Sequence, residues 1–502
     1  GNQGLKKDAA FWQVLNLIFC KIYDERTTRG QRRFWVKATE RNEADGQAAI
    51  ARRIKTLFDE VKRSPNYASV FTDSDLITLN DRVLAYVVGE LSRYNLLETD
   101  VDVKGAAYEE ITASTLKAQR GQFFTPTNVI QLMVQMLDPS GNADLTDPAN
   151  WPRILDPACG SGRFLTYALD HVRRKVADQC FPDEHPLLRV RCLDEDAASA
   201  DRVRAYARQC LYGIDFDPDL KRAARMNMIL NNDGHGNILS FNSLEYPTML
   251  EQSLGETRAQ YGTLPRTEVP DPVRARLDAD LGTFDFVFTN PPFGAKIPID
   301  DERILQQFDL ARRWFRDEQG RLIPGPNLQS RVAPEVLFVE RCVKWVKPGT
   351  GRVAIVLPDG ILGNPDSEYI RVWILQQCQV LASVDLPVEA FLPQVGVQAS
   401  LLFLRRKSQA EMDAEALGQV ADYPVFMAIA ENVGHDRRGN TIYRRDPDGA
   451  EIFFTRTYDI LQRRQQALVP VTVTRSEKQI DDDLPGIGEL YRHFLQTGEV
   501  PT

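Results

Sequence analysis

The residues Arg153-Ile154-Leu155 make a short strand-like run that passes without a spacer into Asp156-Pro157-Ala158-Cys159-Gly160-Ser161-Gly162-Arg163-Phe164-Leu165. Few folds accept such a junction. Glycines at 160 and 162 let the backbone turn tightly and come close to a ligand, and Phe164, Leu165, Ala168 and Leu169 open a helix that packs back on a sheet. That is the first crossover of a nucleotide-type α/β fold. It departs from the G-x-G-x-x-G dinucleotide fingerprint in one respect: Asp156 ends the strand ahead of the glycines, where it repels a pyrophosphate and attracts an ammonium or sulfonium. The expected ligand is cationic.

From Gly121 onward, strand-like and helix-like segments alternate, the pattern of a doubly wound parallel sheet. Leu211-Tyr212-Gly213-Ile214 gives a second strand that ends in Asp215, followed by Phe216, Asp217 and Pro218. A carboxylate at the tip of the second strand is where such folds grip two ribose hydroxyls, and the next apolar side chain can cover a base. Asp215 and Phe216 suit these roles, while Asp217 suits a cap for the helix carrying Ala223, Ala224, Met226 and Met228. A third strand, Asn237 to Asn242, ends in a polar residue that can either read an adenine amino group or form a turn. Further on, Phe284, Phe286, Val287 and Phe288 lead through Thr289 to Asn290-Pro291-Pro292-Phe293. The prolines stop the strand and hold rigid carbonyls, Asn290 adds a side-chain acceptor, and Phe293 adds a flat apolar face.

The four motifs Gly121-Gln122-Phe123-Phe124-Thr125-Pro126, Asp156 to Leu165, Gly213 to Pro218 and Asn290 to Phe293, in that order, resemble the amino-first class of S-adenosylmethionine-dependent DNA adenine-N6 methyltransferases. The nearest likeness is to the modification subunit of type I restriction systems. It extends through Glu335-Val336-Leu337-Phe338, Val356 to Leu362 and the stretch from Leu386-Pro387 to Arg405, and covers about Lys7 to Arg406. One departure is Phe241-Asn242, where the family usually carries an acid preceded by glycine. The resemblance implies a Rossmann-like methyltransferase sheet and S-adenosylmethionine held by Phe123, Phe124, Thr125, Pro126, Asp156, Ala158, Gly160, Gly162, Asp215, Phe216 and Asn242. Asn290, Pro291, Pro292 and Phe293 would then be the catalytic clamp.

The chemistry explains these residue types. Adenine's exocyclic amine is a poor nucleophile because its lone pair is delocalised. The Asn290 side-chain oxygen and the Pro291 carbonyl can accept its two hydrogens and aim the lone pair at the methyl carbon. The leaving group is a neutral thioether, so no strong base is needed before attack. The base must leave the duplex to arrive there, and Phe293 would stack on it. Glutamine and cytosine amino groups are other possible acceptors of such a turn, and Gly121 to Pro126 favours adenine.

The remaining expectations concern organisation. At 502 residues with 43% hydrophobic content, the length prior gives roughly three domains. We expect an N-terminal helical domain over 1–118, a methyltransferase domain over 119–407 and an extension over 408–502. Helices are expected from about Ala9 to Asp24, with Phe11, Val14, Leu15, Ile18 and Ile22 on one face, and from about Asp75 to Leu97, capped by Thr72 or Ser74. Arg29, Arg32, Arg33 and Lys37, interleaved with Phe34 and Trp35, are either DNA-phosphate contacts or a solvated face with a buried Trp. Residues 243–282 carry no assignment.

Lys296, Arg312, Arg313, Trp314, Arg316 and Arg321 suit a lid over DNA, and Phe391 either a second pocket wall or core. Ser408 to Asp422 reads as a linker, and Asn432 to Asp448 as a basic loop, either touching DNA or forming solvated turns. The net charge of −9 decides little about nucleic acid. Seven cysteines without a C-x-x-C pair suggest a reducing cytoplasm and no metal site. No apolar run spans a bilayer. Gly1 in place of an initiator methionine suggests processing or a fragment. Double-stranded DNA is the expected substrate. The resemblance implies a separate specificity subunit as partner, with or without a restriction subunit, and the segment to Thr502 is too short and too polar for a target-recognition domain of its own. The alternatives are a solitary methyltransferase and a non-catalytic DNA-binding scaffold.

Overall fold

The computed structural model describes residues 7–28, 30–64, 67, 70–96, 125–231, 237–245, 281–294, 297–392, 396–464 and 467–500. The chain divides into two compact units, Gly1–Phe124 with Arg225–Asn232, and Thr125–Ala224 with Asp233–Thr502.

The first unit is helical: α1 (Lys7–Thr27), α2 (Ala38–Asn42), α3 (Ala44–Arg63) and α4 (Asp81–Leu91). Helix α1 is buried on more than the expected face, since Leu17, Phe19 and Cys20 join Phe11, Leu15 and Ile22 in the core. Its inward charges are met locally: Lys21 pairs with Glu25 at 2.8 Å, and Asp24 accepts the backbone N–H groups of Arg33 and Phe34. The basic cluster is largely spent in the same way. Arg33 binds Glu60 and Asp24, Arg32 reaches Glu25, and Lys37 lies over the half-buried Trp35 ring. Arg29 lies outside the described residues. The expected helix from Asp75 is shorter than the periodicity suggests. Thr72 and Asp75 close a turn of their own, Leu76 is exposed, and Asn80 caps α4 by accepting from Val83 N–H. Local side-chain bonds at 72–75 compete with the helix and win. Helix α3, with Ile50, Ile54, Leu57, Phe58 and Val61 buried along one stripe, was not anticipated.

The second unit is built on eight strands. In chain order they are β1 (Ile154–Asp156), β2 (Leu211–Asp215), β3 (Ile238–Ser240), β4 (Phe286–Thr289), then, after a two-stranded ribbon β5 (Arg312–Arg316) and β6 (Leu322–Leu328), β7 (Arg352–Pro358), β8 (Cys378–Leu386), β9 (Ala399–Arg406) and β10 (Phe426–Ile429). Their spatial order is β10-β8-β9-β7-β4-β1-β2-β3. All pair in parallel except β9, which runs antiparallel between β7 and β8. The chain builds outward from β1 through β2 and β3, then returns to place β4 on the other flank of β1. That reversal opens a crevice at the carboxyl ends of β1 and β4, the usual ligand position in such sheets.

Helices α5 (Thr127–Leu137), α6 (Arg163–Cys180), α7 (Pro186–Glu195), α8 (Ala197–Cys210), α9 (Pro218–Leu230), α10 (Glu302–Leu305), α11 (Pro334–Trp345), α12 (Asp359–Gly363) and α13 (Glu368–Gln377) make the crossovers. Buried Leu155, Tyr212, Phe284, Val287, Leu337, Ile355 and Leu402 fill one core between sheet and helices. Gly213 sits where strand, loop and helix converge. A Cβ there would lie 2.8 Å from both Ile238 Cδ1 and Leu165 Cδ1. Gly213→Ala should therefore lower unfolding stability by about 1–3 kcal/mol, read from denaturant melts.

The polar stretch after Lys407 is not a linker throughout. Ser408 and Glu411 form a capping box, and α14 (Gln409–Ala416) follows. This box was legible as Ser408-x-x-Glu411. Strand β10 extends the main sheet, a long ribbon forms from β11 (Phe453–Arg464) and β12 (Ala467–Lys478), and α15 (Leu484–Thr497) packs on α5 with Gly488 against Gln135. The basic loop at 432–448 is a series of turns in which three of the four arginines are paired: Arg437 with Glu389, Arg444 with Asp481 and Asp483, and Arg445 with Glu451. Among the described residues, no helix is long and apolar enough to cross a membrane.

Candidate active site

The glycine loop leaves β1 and is pinned to the neighbouring strand, with Cys159 N–H donating to Ile214 O at 2.9 Å. Gly160 and Gly162 both have positive φ, +51° and +77°. They differ in purpose. A Cβ on Gly162 would press on Ala224, 3.2 Å away, whereas one on Gly160 meets nothing within 4 Å. Gly162 lets α6 approach α9, and Gly160 keeps an open backbone surface. Asp215 ties the two strand tips together: one carboxylate oxygen accepts Gly160 N–H at 2.9 Å and the other Asp217 N–H at 2.8 Å. Asp217 accepts Asp219 N–H, the expected helix cap. Phe216, between the two acids, is 76% exposed. Asn242 accepts Leu244 N–H with its side-chain oxygen, which is the turn geometry.

Asp156 is the electrostatic centre of this loop. It is buried at the β1 tip, with Oδ1 accepting Ala158 N–H at 3.1 Å and the Thr289 hydroxyl beside the carboxyl, placed to donate to it. Burial, reinforced by the charge of Asp215, pushes its carboxyl up to about 8. Burial likewise raises Asp215 to about 6. Two acids that resist ionisation, side by side, fit a cation that restores the charge balance.

Across the crevice, β4 delivers Asn290. Its amide Nδ2 donates to the Thr125 hydroxyl at 3.0 Å, and its buried Oδ1 has no hydrogen-bond partner among the described residues. Thr125 itself is buried, and its carbonyl accepts from Arg163 at 3.1 Å. Pro291 is buried, Pro292 exposed and Phe293 half-buried. Gly294, at φ +115°, gives its N–H to buried Glu335 at 3.0 Å. Glu335→Ala should cost about 1–3 kcal/mol in equilibrium unfolding through the abandoned donor. The structure thus brings Thr125, Pro126, Asp156, Ala158, Gly160, Gly162, Asp215, Phe216, Asn242 and Asn290 to Phe293 onto loops at one end of the sheet. Phe123 and Phe124 lie outside the described residues, as do Lys296 and nearly all of the unassigned insertion.

Of the other expected contacts, one is buried in the core and others are paired on the surface. Phe391 is core. In the lid segment, Arg316 pairs with Glu368, Arg321 with Asp317, and Trp314 leans on Tyr369. Arg163 was not singled out as a site residue. Its signal was a cation in the first turn of a helix, at the end where the dipole disfavours it.

A parallel sheet with one reversed strand, a glycine loop after its first strand, an acid at its second and an Asn-Pro-Pro-Phe turn at its fourth define the class: a Rossmann-like S-adenosylmethionine-dependent methyltransferase fold. Residues 99–440 match the N-6 DNA Methylase family model, and the chain belongs to that family. Among its relatives, the type I restriction enzyme EcoEI methylase subunit of Escherichia coli is 23% identical over 359 residues, 70% of this chain and 57% of that protein. The EcoKI methylase subunit of Escherichia coli K12 is 25% identical over 314 residues, 61% of this chain and 45% of that protein. The chain spans about half the length of the curated relatives it matches. A solved modification subunit ascribed to a type I restriction enzyme of Vibrio vulnificus YJ016 aligns with a TM-score of 0.48 at 19% identity, covering 81% of this chain and 78% of that one.

Proposed function

We propose that this chain methylates N6 of an adenine turned out of double-stranded DNA, with S-adenosylmethionine as donor. The observation that carries this reading is the Asn290 amide: its nitrogen is committed to Thr125, so its buried oxygen, without a partner among the described residues, is the end left to accept from an N–H donor. S-adenosylmethionine, when bound, supplies a methyl group activated by a positively charged sulfur.

The chain's own residues do the rest. Asp156 offers a buried acceptor to the donor's cationic end, Asp215 a carboxylate to hydroxyls, and Phe216 an exposed ring to a base. Gly160 leaves room for close approach of the backbone. Thr125 and Pro126, with Phe123 and Phe124, would close over the donor, and Asn242 would touch its base with the oxygen's second lone pair. Asn290 Oδ1 and the Pro291 carbonyl would accept the adenine N–H hydrogens, with Pro292 stiffening the turn and Phe293 stacking on the ring. Acceptors held in place before reaction need no reorganisation during it.

We assign catalysis to 119–407, and DNA or partner contact to 1–118 and 408–502. The names of the relatives favour a modification subunit that works with a separate specificity subunit, with or without a restriction subunit. The test is to sequence methylated bases in cells with and without this gene. Loss of N6-methyladenine at one recurrent sequence supports the reading, and an unchanged pattern overturns it. The purified chain alone should methylate DNA poorly and gain activity with its specificity partner. Phe216→Ala should weaken S-adenosylmethionine binding by about tenfold in calorimetry, as expected for one lost stacking contact, and leave the melting temperature unchanged because the ring is exposed.

A further inference from the structure

We infer that Arg163 is a positioning residue that sets the acceptor clamp through Thr125, and so locks the methyl-donor loop and the acceptor turn into one alignment. The inference rests on the proposed function. Arg163 is the first residue of α6, directly after Gly162, and only 4% exposed. A guanidinium is costly to bury and is out of place at a helix's positive end. It is held there by what it donates to: the Thr125 carbonyl at 3.1 Å and the Thr127 hydroxyl, with the Tyr167 ring 5.8 Å away.

Thr125 is the residue on which both halves of the site meet. Its carbonyl takes the Arg163 bond and its hydroxyl takes the Asn290 amide at 3.0 Å. The path Arg163, Thr125, Asn290 therefore runs from the helix that begins at the glycine loop to the turn that ends β4, without using a single bond of the sheet between them. Arg163 touches neither donor nor base in this scheme. It fixes Thr125, Thr125 fixes the amide, and the amide's free oxygen faces the acceptor. A misplacement of about 1 Å between reacting groups costs about a hundredfold in rate, so a fixed span between the two loops matters more than the strength of any one bond in it.

The test uses the full chain and reads the amide itself. In protein labelled with nitrogen-15 at asparagine, the Asn290 side-chain resonance is assigned by its loss in Asn290→Asp, and its hydrogen exchange is measured. Arg163→Met should bind S-adenosylmethionine within about threefold of wild type, as expected for a contact outside the donor's own shell, and Thr125→Val, at a residue assigned to the donor, is read by amide exchange beside it. They should speed Asn290 amide exchange at least tenfold and cut adenine methylation in cells at least tenfold, as expected from misalignment. Thr125→Ser, which keeps the hydroxyl, should recover amide protection. A folded Arg163→Met protein with wild-type exchange and methylation overturns the inference. So does a fall in cofactor affinity that matches the fall in methylation. Should the Met variant not fold, Arg163→Lys carries the test: faster amide exchange supports the relay and wild-type protection overturns it. Wild-type cells without methylated adenine overturn the proposed function instead, and the exchange measurement still judges the relay.

Discussion

Replacing Asn290 with alanine should abolish methyl transfer, by about a thousandfold or more, with cofactor binding kept. The size follows from what the side chain supplies. In the proposed reaction it is an acceptor fixed in advance by Thr125, with an oxygen that has no hydrogen-bond partner among the described residues and so is left to accept from the amine. Removing one preorganised group of this kind costs about a hundred- to a thousandfold in rate, and in the proposed reaction the same oxygen would also orient the nucleophile. Stability should change by only about 1 kcal/mol, because one hydrogen bond to Thr125 is lost. Asn290→Asp discriminates further. It keeps an acceptor but has no N–H for Thr125, and it puts a charge where the oxygen is buried, so it should be as inactive as alanine. Labelled methyl transfer in the assembled enzyme checks both variants. Residual activity within tenfold of wild type would remove Asn290 from the reaction.

The second large effect is expected at Asp156. Asp156→Asn should weaken S-adenosylmethionine binding by about a hundredfold, because it removes the buried acceptor that balances a cationic ligand. The pH dependence gives a sharper reading. The carboxyl is raised by burial to about 8, so near neutrality the ligand-free protein holds it largely protonated. Cofactor affinity should rise with pH through about 8 and then level off, and in the Asn variant this rise should be gone.

Stability runs the other way. A carboxyl with a raised folded-state pKa contributes stability that is fully present below its unfolded value of 3.8 and is lost as pH rises through about 8. Asp215, raised to about 6, adds loss in the same direction within its narrower window. Every tenfold difference in proton affinity between the folded and unfolded chain corresponds to about 1.4 kcal/mol. The ligand-free protein should thus melt at lower temperature at pH 9 than at pH 5. Added S-adenosylmethionine should recover most of the difference, and ligand-free Asp156→Asn should outlast wild type at pH 9. A flat melting profile in the wild type would mean that Asp156 is not buried as a free acid.

These effects fall on residues whose place was legible in different degrees. Strand β1, its glycine turn and α6 follow from residues 153–169 alone. An apolar run, two glycines and a helical stripe are local signals, and a local conflict would have broken them. The four-residue turn at Asn290 was equally plain, because two prolines end any strand. By contrast, α4 began later than its apolar spacing suggested, since the polar group at 72–75 prefers its own turn, and Asn80, a better cap, lay inside the expected helix. Helix α14 was hidden in polar composition, although its capping box was present. Strand β10 was not anticipated either: a short edge strand, parallel to a strand about forty residues earlier, has no local signature that separates it from a loop.

The sequence by itself determined the class of fold, the order of the motifs and which residue types carry the chemistry, because each of these is set within ten or so neighbouring residues. It could not decide what those residues do to one another. That Asp156 is an acid raised to about 8 rather than an ordinary one depends on burial contributed by distant strands. That the Asn290 oxygen and not its nitrogen is left unpaired depends on a threonine 165 positions away. That Arg163 belongs to the site depends on that same threonine. Strand pairing and helix packing bring these groups within hydrogen-bond reach, and desolvation there turns common side chains into a candidate site for one cation and one base.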